Sequence, residues 1–281
     1  MGLLDGKVAV VSGAARGQGR AIAVRFAQEG ADIVALDICA DVPTAPYAGS
    51  RPDDLERSRS MVEAQGQQCL SEIVDVRDTQ AVRQIVDRAV AQMGGVDAVV
   101  ANAGFVSYHA ADAMPEEAWR TMIDVNLTGT WNVVRAALPH MVSAGRGGSV
   151  TMTSSSAAHI GFQNLGHYAA TKGGIVGYMQ SLAVELGPHS IRVNTLHPST
   201  VKTAMTLNQA TYDLFMPGAG LTAGSTTDEG VIAEAFTQMH ALPIPWVEPL
   251  DVANAALFLA SDMGRYVSGT QLRVDAGSAV R

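Results

Sequence analysis

The sequence has few charged residues, few aromatic residues and almost no cysteine. Charged residues make up 16% of the 281 positions and aromatic residues 5%, whereas 47% of the positions are hydrophobic. This balance excludes a disordered chain. The only cysteines, Cys39 and Cys69, are far apart and outside any Cys-x-x-Cys or His cluster, so the sequence predicts neither disulfides nor a metal site. We therefore expect a reducing, cytoplasmic compartment.

Two classes of partner are also unexpected. The net charge of −8 repels phosphate backbones and the 19 Lys and Arg residues are scattered, which argues against nucleic acid. No apolar run reaches the roughly 18 residues that span a bilayer. The first residues resemble a buried strand more than a signal peptide, so a membrane is not an expected partner either.

Strand-like and helix-like segments alternate along the chain. Helical spacing predicts helices between the strands, among them one long helix after Pro115 whose apolar side includes Trp119 and Met141. The alternation predicts an α/β fold: one doubly wound Rossmann domain over residues 1–281, with a parallel sheet of about seven strands flanked by helices. Apolar, β-branched runs predict the strands at 7–12, 31–38, 70–76, 96–101, 147–153, 191–196 and 270–274.

A glycine-rich loop follows the first strand. Gly13, Gly17 and Gly19 allow the backbone to approach a pyrophosphate, and the next helix offers its free N–H groups, so the loop predicts a dinucleotide site. Asp37 ends the second strand, where a carboxylate accepts hydrogen bonds from ribose hydroxyls and repels a 2′-phosphate. Arg16 is a counter-signal because a cation suits a 2′-phosphate, but we expect the nearer carboxylate to dominate. The predicted cofactor is NAD.

Two segments depart from the alternation. Residues 39–54 carry three prolines and no periodicity, which predicts a long ordered loop. Residues 205–247 are apolar but interrupted by glycines and prolines. We interpret this second segment as a lid over a hydrophobic ligand, with a subunit contact as the alternative.

Tyr168 and Lys172 are spaced to share one face of a predicted helix. A neighbouring ammonium lowers the pKa of a phenol, so Tyr168 is a candidate acid/base. Ser155 ends a strand, where its hydroxyl can bond the same substrate oxygen. The alternative is a chance Tyr-x-x-x-Lys pair after a capping serine run. Asn126 lies on an apolar helix stripe and must be hydrogen-bonded, either structurally or in an active site.

Together these motifs resemble the short-chain dehydrogenase/reductase family over nearly the whole chain. The resemblance implies that Tyr168 is the acid/base, Lys172 holds the nicotinamide ribose and lowers the tyrosine pKa, Ser155 orients the substrate oxygen and Asn126 supports a proton-relay water. Ser12 and Ser199 depart from the family's usual threonine and glycine. The implied cofactor-binding residues are Gly13, Arg16, Gly17, Gln18, Gly19, Asp37, Ile38, Asp75, Val76, Asn102, Ala103, Gly104, Tyr168, Lys172, Pro198, Thr200, Val201 and Thr203.

Three features look like the mycofactocin-coupled subgroup, which contains carveol dehydrogenase: the Pro-rich insert, the turn His197-Pro-Ser-Thr-Val-Lys-Thr203 and the tail from Leu242. This resemblance implies a small apolar, terpenoid-like secondary alcohol and its ketone as substrates, NAD held without free exchange, and mycofactocin as the electron acceptor. The resemblance to the short-chain dehydrogenase/reductase family implies a homotetramer. The alternatives are a steroid or 3-oxoacyl-thioester reductase and, in another class, a non-catalytic NAD-sensing protein of the same fold.

Overall fold

Seven strands form one parallel sheet in the computed structural model, which describes residues 2–281. The strand order is β3-β2-β1-β4-β5-β6-β7. This order reverses between β1 and β4, which confirms the predicted doubly wound Rossmann architecture. The strands are β1 (Val8–Ser12), β2 (Asp32–Asp37), β3 (Cys69–Ile73), β4 (Ala98–Ala101), β5 (Gly148–Thr153), β6 (Ile191–Pro198) and β7 (Gln271–Val274).

Helices cover both faces of the sheet. Alternate residues of a strand face opposite sides, so Val10 packs in one apolar cluster whereas Ala9 and Val11 pack in the other. Within residues 2–281, no helix combines the length and the apolar character that crossing a membrane requires. The helices are α1 (Gly17–Gln28), α2 (Pro52–Glu63), α3 (Thr79–Met93), α4 (Glu116–Met122), α5 (Gly129–Ala144), α6 (Gly166–Leu186), α7 (Gln209–Phe215), α8 (Thr226–Thr237) and α9 (Pro249–Ala260).

The carboxyl ends of all seven strands lie at one edge of the sheet because every neighbouring pair runs parallel. The connections that leave β1 and β4 diverge to opposite sides, which opens a crevice at that edge. The predicted site residues follow β1, β2, β3, β4, β5 and β6. The topology therefore gathers residues that are distant in the sequence around one crevice.

The third strand is shorter than predicted. It ends at Ile73, not at Val76. The chain turns shortly after it because the Asp75 carboxylate accepts from the Arg77 amide at 2.9 Å and the Asp75 carbonyl accepts from the Asp78 amide at 2.9 Å. Asp75 and Val76 thus lie in a turn at the crevice.

The single helix predicted after Pro115 consists of three segments. Between α4 and α5 lies a π-helical stretch, Ile123–Thr128. A π-helical turn holds an extra residue, so the faces of the helix before and after it are out of register. Within α4 the buried residues are Ala118 and Met122, whereas Trp119 is 44% exposed, so its predicted place on the same apolar side as Met141 is wrong.

The segment 205–247 is more ordered than its glycines and prolines suggest. It contains α7 and α8, whose side chains Tyr212, Ile232 and Phe236 form a small apolar core of their own. Asn208 and Ser225 cap the two helices by accepting hydrogen bonds from backbone amides. These two capping residues were the available sequence signal for helices that the prediction missed.

Candidate active site

A cleft of about 560 Å³ lies at the carboxyl edge of the sheet. Ser155 and all but two of the predicted cofactor residues line it. Gly19 is behind the loop, where a Cβ atom would collide with the Gly13 carbonyl oxygen, so its role is to bring α1 close. Thr200 turns away from the cleft, and its carbonyl accepts from the Val247 amide at 2.9 Å.

The glycine loop joins β1 directly to the amino end of α1. Gly13 has φ +69°, and a Cβ atom there would lie 2.9 Å from the Cα atom of Ala103. The Ser12 hydroxyl accepts from the amides of Asn102 and Ala103 at 3.0 and 3.1 Å. These bonds hold the loops after β1 and β4 together, so serine performs this task where the family usually has threonine.

Asp37 is almost fully buried beside this loop. Its carboxylate accepts from the Ala15 amide at 3.0 Å, from the Cys39 amide at 3.0 Å and from the Ser50 hydroxyl at 2.5 Å. A carboxylate offers about four acceptor sites, so capacity remains for a ligand hydroxyl. The binding of a ribose by Asp37 stays a prediction.

The insert, residues 39–51 in the structure, forms one wall of the cleft. Arg16 places its guanidinium 5.8 Å from the centre of the Tyr47 ring. The Tyr47 hydroxyl accepts from the Val106 amide at 3.2 Å, which ties the insert to the chain beyond β4. Sequence reasoning did not identify these wall residues, although aromatic and aliphatic side chains in a Pro-rich loop were a signal. The insert residues that line the cleft are Ala40, Val42, Ala45, Tyr47, Gly49 and Ser50.

Lys172 and Tyr168 lie on the first turns of α6, facing the cleft. Lys172 is 4% exposed, and its Nζ donates to the Thr153 carbonyl at 2.8 Å and lies 5.5 Å from the Tyr168 ring centre. Burial lowers the pKa of Lys172 to about 8. Burial also raises the pKa of Tyr168 to about 12, against the opposing effect of the Ser155 hydroxyl. The predicted lowering of this pKa is therefore not found: desolvation dominates, and the ammonium is bonded to Thr153 instead of to the phenol.

Ser155 lies where β5 ends and a short 3₁₀ turn begins. Its Oγ accepts from the Ala157 amide at 3.1 Å and so caps this turn. This bond uses a lone pair of the oxygen, so the hydroxyl hydrogen can be directed at another oxygen. Ser155, Tyr168 and Lys172 together present two hydroxyls and one cation to the same part of the cleft.

Comparison with known proteins decides the family. A family model described as enoyl-(acyl carrier protein) reductase matches residues 13–279. The (-)-trans-carveol dehydrogenase of Rhodococcus erythropolis is 44% identical over 282 residues, with 100% of each chain covered. The chain belongs to the short-chain dehydrogenase/reductase family. Among solved structures of this family, carveol dehydrogenase from Mycobacterium avium in complex with NAD has a TM-score of 0.96 at 46% identity, with both chains fully covered. A short-chain dehydrogenase from Mycobacterium paratuberculosis bound to NAD has a TM-score of 0.87 at 40% identity, again with full coverage of both chains.

Asn126, which the family resemblance assigns to a proton relay, is held inside the protein. It is fully buried in the π-helical stretch. Its Oδ1 accepts from the Phe105 amide at 3.0 Å and its Nδ2 donates to the Phe105 carbonyl at 2.9 Å. The side-chain amide thus holds the loop that follows Gly104 in place. This is the first of the two predicted roles of Asn126, a structural hydrogen bond. A role for Asn126 in proton relay stays a prediction.

Ser199, a second departure from the family pattern, has a definite partner. Its Oγ is 3.0 Å from Nε2 of His240, whose Nδ1 is 2.8 Å from the Ile244 carbonyl. Since a carbonyl only accepts, Nδ1 carries the hydrogen and the Ser199 hydroxyl donates to Nε2. The serine therefore attaches the turn after β6 to the end of the segment 205–247.

Proposed function

We propose that the chain is an NAD-dependent oxidoreductase that interconverts an apolar, terpenoid-like secondary alcohol and its ketone. The observation that carries the proposal is the meeting of Tyr168, Ser155 and Lys172 in the cleft that Asp37 also enters. Asp37 ends β2 and Ser155 follows β5, strands that are three places apart in the sheet. At the usual strand spacing this is about 14 Å, a separation that suits an extended dinucleotide.

The residues of the cleft fit NAD. Gly17 leaves the first residue of α1 without a side chain where a pyrophosphate would meet the amino end of that helix, and Gly13 lets the loop pack closely on Ala103. Asp37 would hold the adenosine ribose and repel a 2′-phosphate. Lys172 would hold the nicotinamide ribose. When bound, NAD accepts the hydride of the alcohol carbon.

The protein's own groups handle the proton. In oxidation, Tyr168 takes the hydroxyl proton of the alcohol, and the Ser155 hydroxyl donates a hydrogen bond to the same oxygen. Oxidation requires the phenolate form of Tyr168, which burial disfavours and which the ammonium of Lys172, 5.5 Å from the ring centre, favours only in part. In reduction, Tyr168 starts protonated, as its raised pKa favours, and gives its proton to the ketone oxygen.

An apolar substrate is supported by the side chains near Tyr168. Phe105, Val125 and Ala204 line the cleft, as does Met205 at the start of the segment 205–247. We propose that this segment acts as the lid, with its own small core keeping it folded. The carveol dehydrogenases among the relatives support an alcohol of this kind.

The alternatives make different demands on the site. A 3-oxoacyl-thioester reductase that uses a carrier protein would be helped by a basic entrance, whereas this chain has a net charge of −8. A non-catalytic NAD sensor has no need of Tyr168, Ser155 and Lys172 together.

The test is to compare oxidation of carveol with NAD against reduction of a steroid ketone and of a 3-oxoacyl thioester with NADH. Carveol oxidation at the highest kcat/KM supports the proposal, and preference for a thioester or steroid contradicts it.

We further propose that NAD is retained between turnovers and is reoxidised by mycofactocin. The insert is an ordered wall: Ser50 bonds Asp37, Tyr47 bonds the Val106 amide, and Arg51 pairs with Asp41 at 2.9 Å. A wall fixed at several points slows the release of a ligand behind it. Rapid equilibration of bound cofactor with isotopically labelled NAD would contradict retention.

Tyr47→Ala is expected to accelerate NAD exchange about tenfold to a hundredfold, because the aromatic packing and cation–π contact that it removes are together worth about 1 to 3 kcal/mol. The measurement is the exchange rate of labelled NAD on purified protein. The matched control is Tyr266→Ala, since Tyr266 is 89% exposed and should leave the rate unchanged. Equal rates for wild type and Tyr47→Ala would show that the insert does not retain the cofactor.

Asp37→Asn is expected to weaken NAD binding about tenfold and to reduce the preference for NAD over NADP, because the amide no longer repels a 2′-phosphate. Calorimetric affinities for both cofactors measure the change. The exposed Asp112→Asn serves as a control for the loss of one negative charge. An unchanged NAD:NADP ratio in Asp37→Asn would remove Asp37 from cofactor selection.

The assembly and compartment are proposed on separate grounds. Trp131 on α5 is 38% exposed and Val184 on α6 is 80% exposed, and such apolar positions support a homotetramer built on these helices. Cys39 and Cys69 are both free thiols, which supports the reducing cytoplasm as the compartment. Sedimentation of Val184→Glu, expected to dissociate a tetramer, tests the assembly.

A further inference from the structure

His197 lies next to Ser155, on the neighbouring strand β6, and is completely buried. Its Nδ1 is 3.0 Å from the Ser155 carbonyl oxygen, and its Nε2 is 2.8 Å from the Thr195 hydroxyl. Its ring also stacks on His159, with 4.5 Å between ring centres and an angle of 34° between the planes. His197 has none of the roles described above for cofactor, substrate or proton.

The hydrogen bonds of His197 define one tautomer. A carbonyl oxygen can only accept, so Nδ1 carries the hydrogen that bonds Ser155, and Nε2 accepts from the Thr195 hydroxyl. The competing acceptor for that hydroxyl, the Thr270 carbonyl, is farther away at 3.4 Å. Burial lowers the pKa of His197 to about 4, which keeps the ring neutral near pH 7.

The Ser155 carbonyl is consequently held from two directions. The Ala158 amide donates to it at 3.1 Å from within the 3₁₀ turn, and His197 donates at 3.0 Å from the adjacent strand. The preceding residue is fixed too, since the Ser154 amide donates to the Leu196 carbonyl at 2.8 Å. Of these donors, His197 is the only side chain, so it is the one that substitution can remove.

We propose that His197 is a positioning residue for Ser155: its Nδ1–H holds the Ser155 carbonyl and thereby directs the Ser155 hydroxyl at the reacting oxygen of the substrate. The proposal rests on the proposed function, because it assumes that Ser155 acts on that oxygen. The consequence is that His197 contributes to turnover only through Ser155. It does not touch substrate or cofactor.

Two substitutions separate a positioning role from a packing role. His197→Asn keeps a donor nitrogen the same number of bonds from Cα as Nδ1, whereas His197→Leu fills space without a donor. Because a misdirected catalytic group costs on the order of 10²-fold, we expect His197→Leu to lower kcat about 10- to 100-fold with KM changed less than about threefold. His197→Asn should recover most of kcat. Thermal melting and NAD affinity of each variant establish that the fold and cofactor site persist.

The decisive comparison uses Ser155→Ala. If His197 acts through Ser155, adding His197→Leu to Ser155→Ala should lower kcat no further. A further loss as large as in the wild-type background would overturn the proposal, as would a His197→Asn variant no better than His197→Leu. If Ser155→Ala itself turns over like wild type, the proposed function fails and this proposal falls with it.

A second readout does not depend on activity. Nitrogen NMR of protein with labelled histidine distinguishes the two neutral tautomers. We expect the His197 signal, assigned by its loss in His197→Asn, to show Nδ1–H and to stay neutral from pH 6 to pH 8. An Nε2–H tautomer would overturn the proposal even in an active enzyme.

Discussion

Tyr168→Phe is expected to lower kcat for carveol oxidation by about 10³-fold or more while NAD affinity changes less than about threefold, since positioned acid/base groups contribute 10²- to 10⁴-fold. The variant removes only the oxygen that we propose as the acceptor of the alcohol proton. The ring, which packs against the core and faces Lys172, is kept. Steady-state reduction of an artificial dye acceptor measures kcat whether or not NAD is retained, and calorimetry on cofactor-free protein measures the affinity for NAD.

Tyr178→Phe is the matched control for this experiment. Tyr178 lies on the same helix, α6, and packs partly buried against the core outside the cleft. Its substitution should leave kcat within about twofold of wild type. Retention of full activity by Tyr168→Phe would refute the acid/base assignment, and a loss of NAD affinity as large as the loss of kcat would assign Tyr168 to cofactor binding instead.

Lys172→Met is expected to abolish turnover and at the same time to stabilise the fold. Burial lowers the pKa of Lys172 from 10.5 to about 8. A shift of that size corresponds to a destabilisation by the buried ammonium of up to about 3 kcal/mol at pH 7. The lost bond to the Thr153 carbonyl offsets part of the gain. We expect a net gain of about 1 to 2 kcal/mol in the free energy of unfolding.

The stability gained by Lys172→Met is expected to depend on pH. Between pH 8 and pH 10.5 the unfolded chain binds a proton at Lys172 that the folded chain has released, so wild-type stability rises with pH in this window. Below pH 8 both states are protonated and the full penalty is present. The advantage of Lys172→Met should therefore be largest at pH 7 and shrink toward pH 10. Urea unfolding at both values measures it.

Lys7→Met is the control for the stability measurement. Lys7 is about half exposed and 3.9 Å from Asp97, so its removal should change the free energy of unfolding by less than about 1 kcal/mol at either pH. A Lys172→Met variant that is less stable than wild type at pH 7 would mean that the ammonium is well solvated or strongly paired in the folded protein.

The local part of the site followed from the sequence. Tyr168 and Lys172 were placed together because helical spacing fixes their separation. The glycine loop and Asp37 were placed together because parallel strands end at the same edge of a sheet. These predictions needed only the residue spacing of a helix and the parallel sheet that alternating strands and helices form.

The rest depended on contacts between distant parts of the chain. The Tyr47 wall depends on a bond to Val106, and the clamp on Phe105 depends on bringing Asn126, in the π-helical stretch, against the loop after β4. The direction of the Tyr168 pKa shift depends on how much of the ring is desolvated. The tautomer of His197 depends on which groups bond its two ring nitrogens. Residue spacing along the sequence does not reveal such contacts.

The most direct test of the central claim uses carveol that carries deuterium on its alcohol carbon. Purified protein is mixed with this alcohol and NAD, and the reduced cofactor is recovered for mass spectrometry. The account predicts NADH that has gained one deuterium, in wild type and in Tyr178→Phe but not in Tyr168→Phe. Wild-type protein that yields no NADH, or NADH without deuterium, would contradict alcohol oxidation by hydride transfer in this cleft.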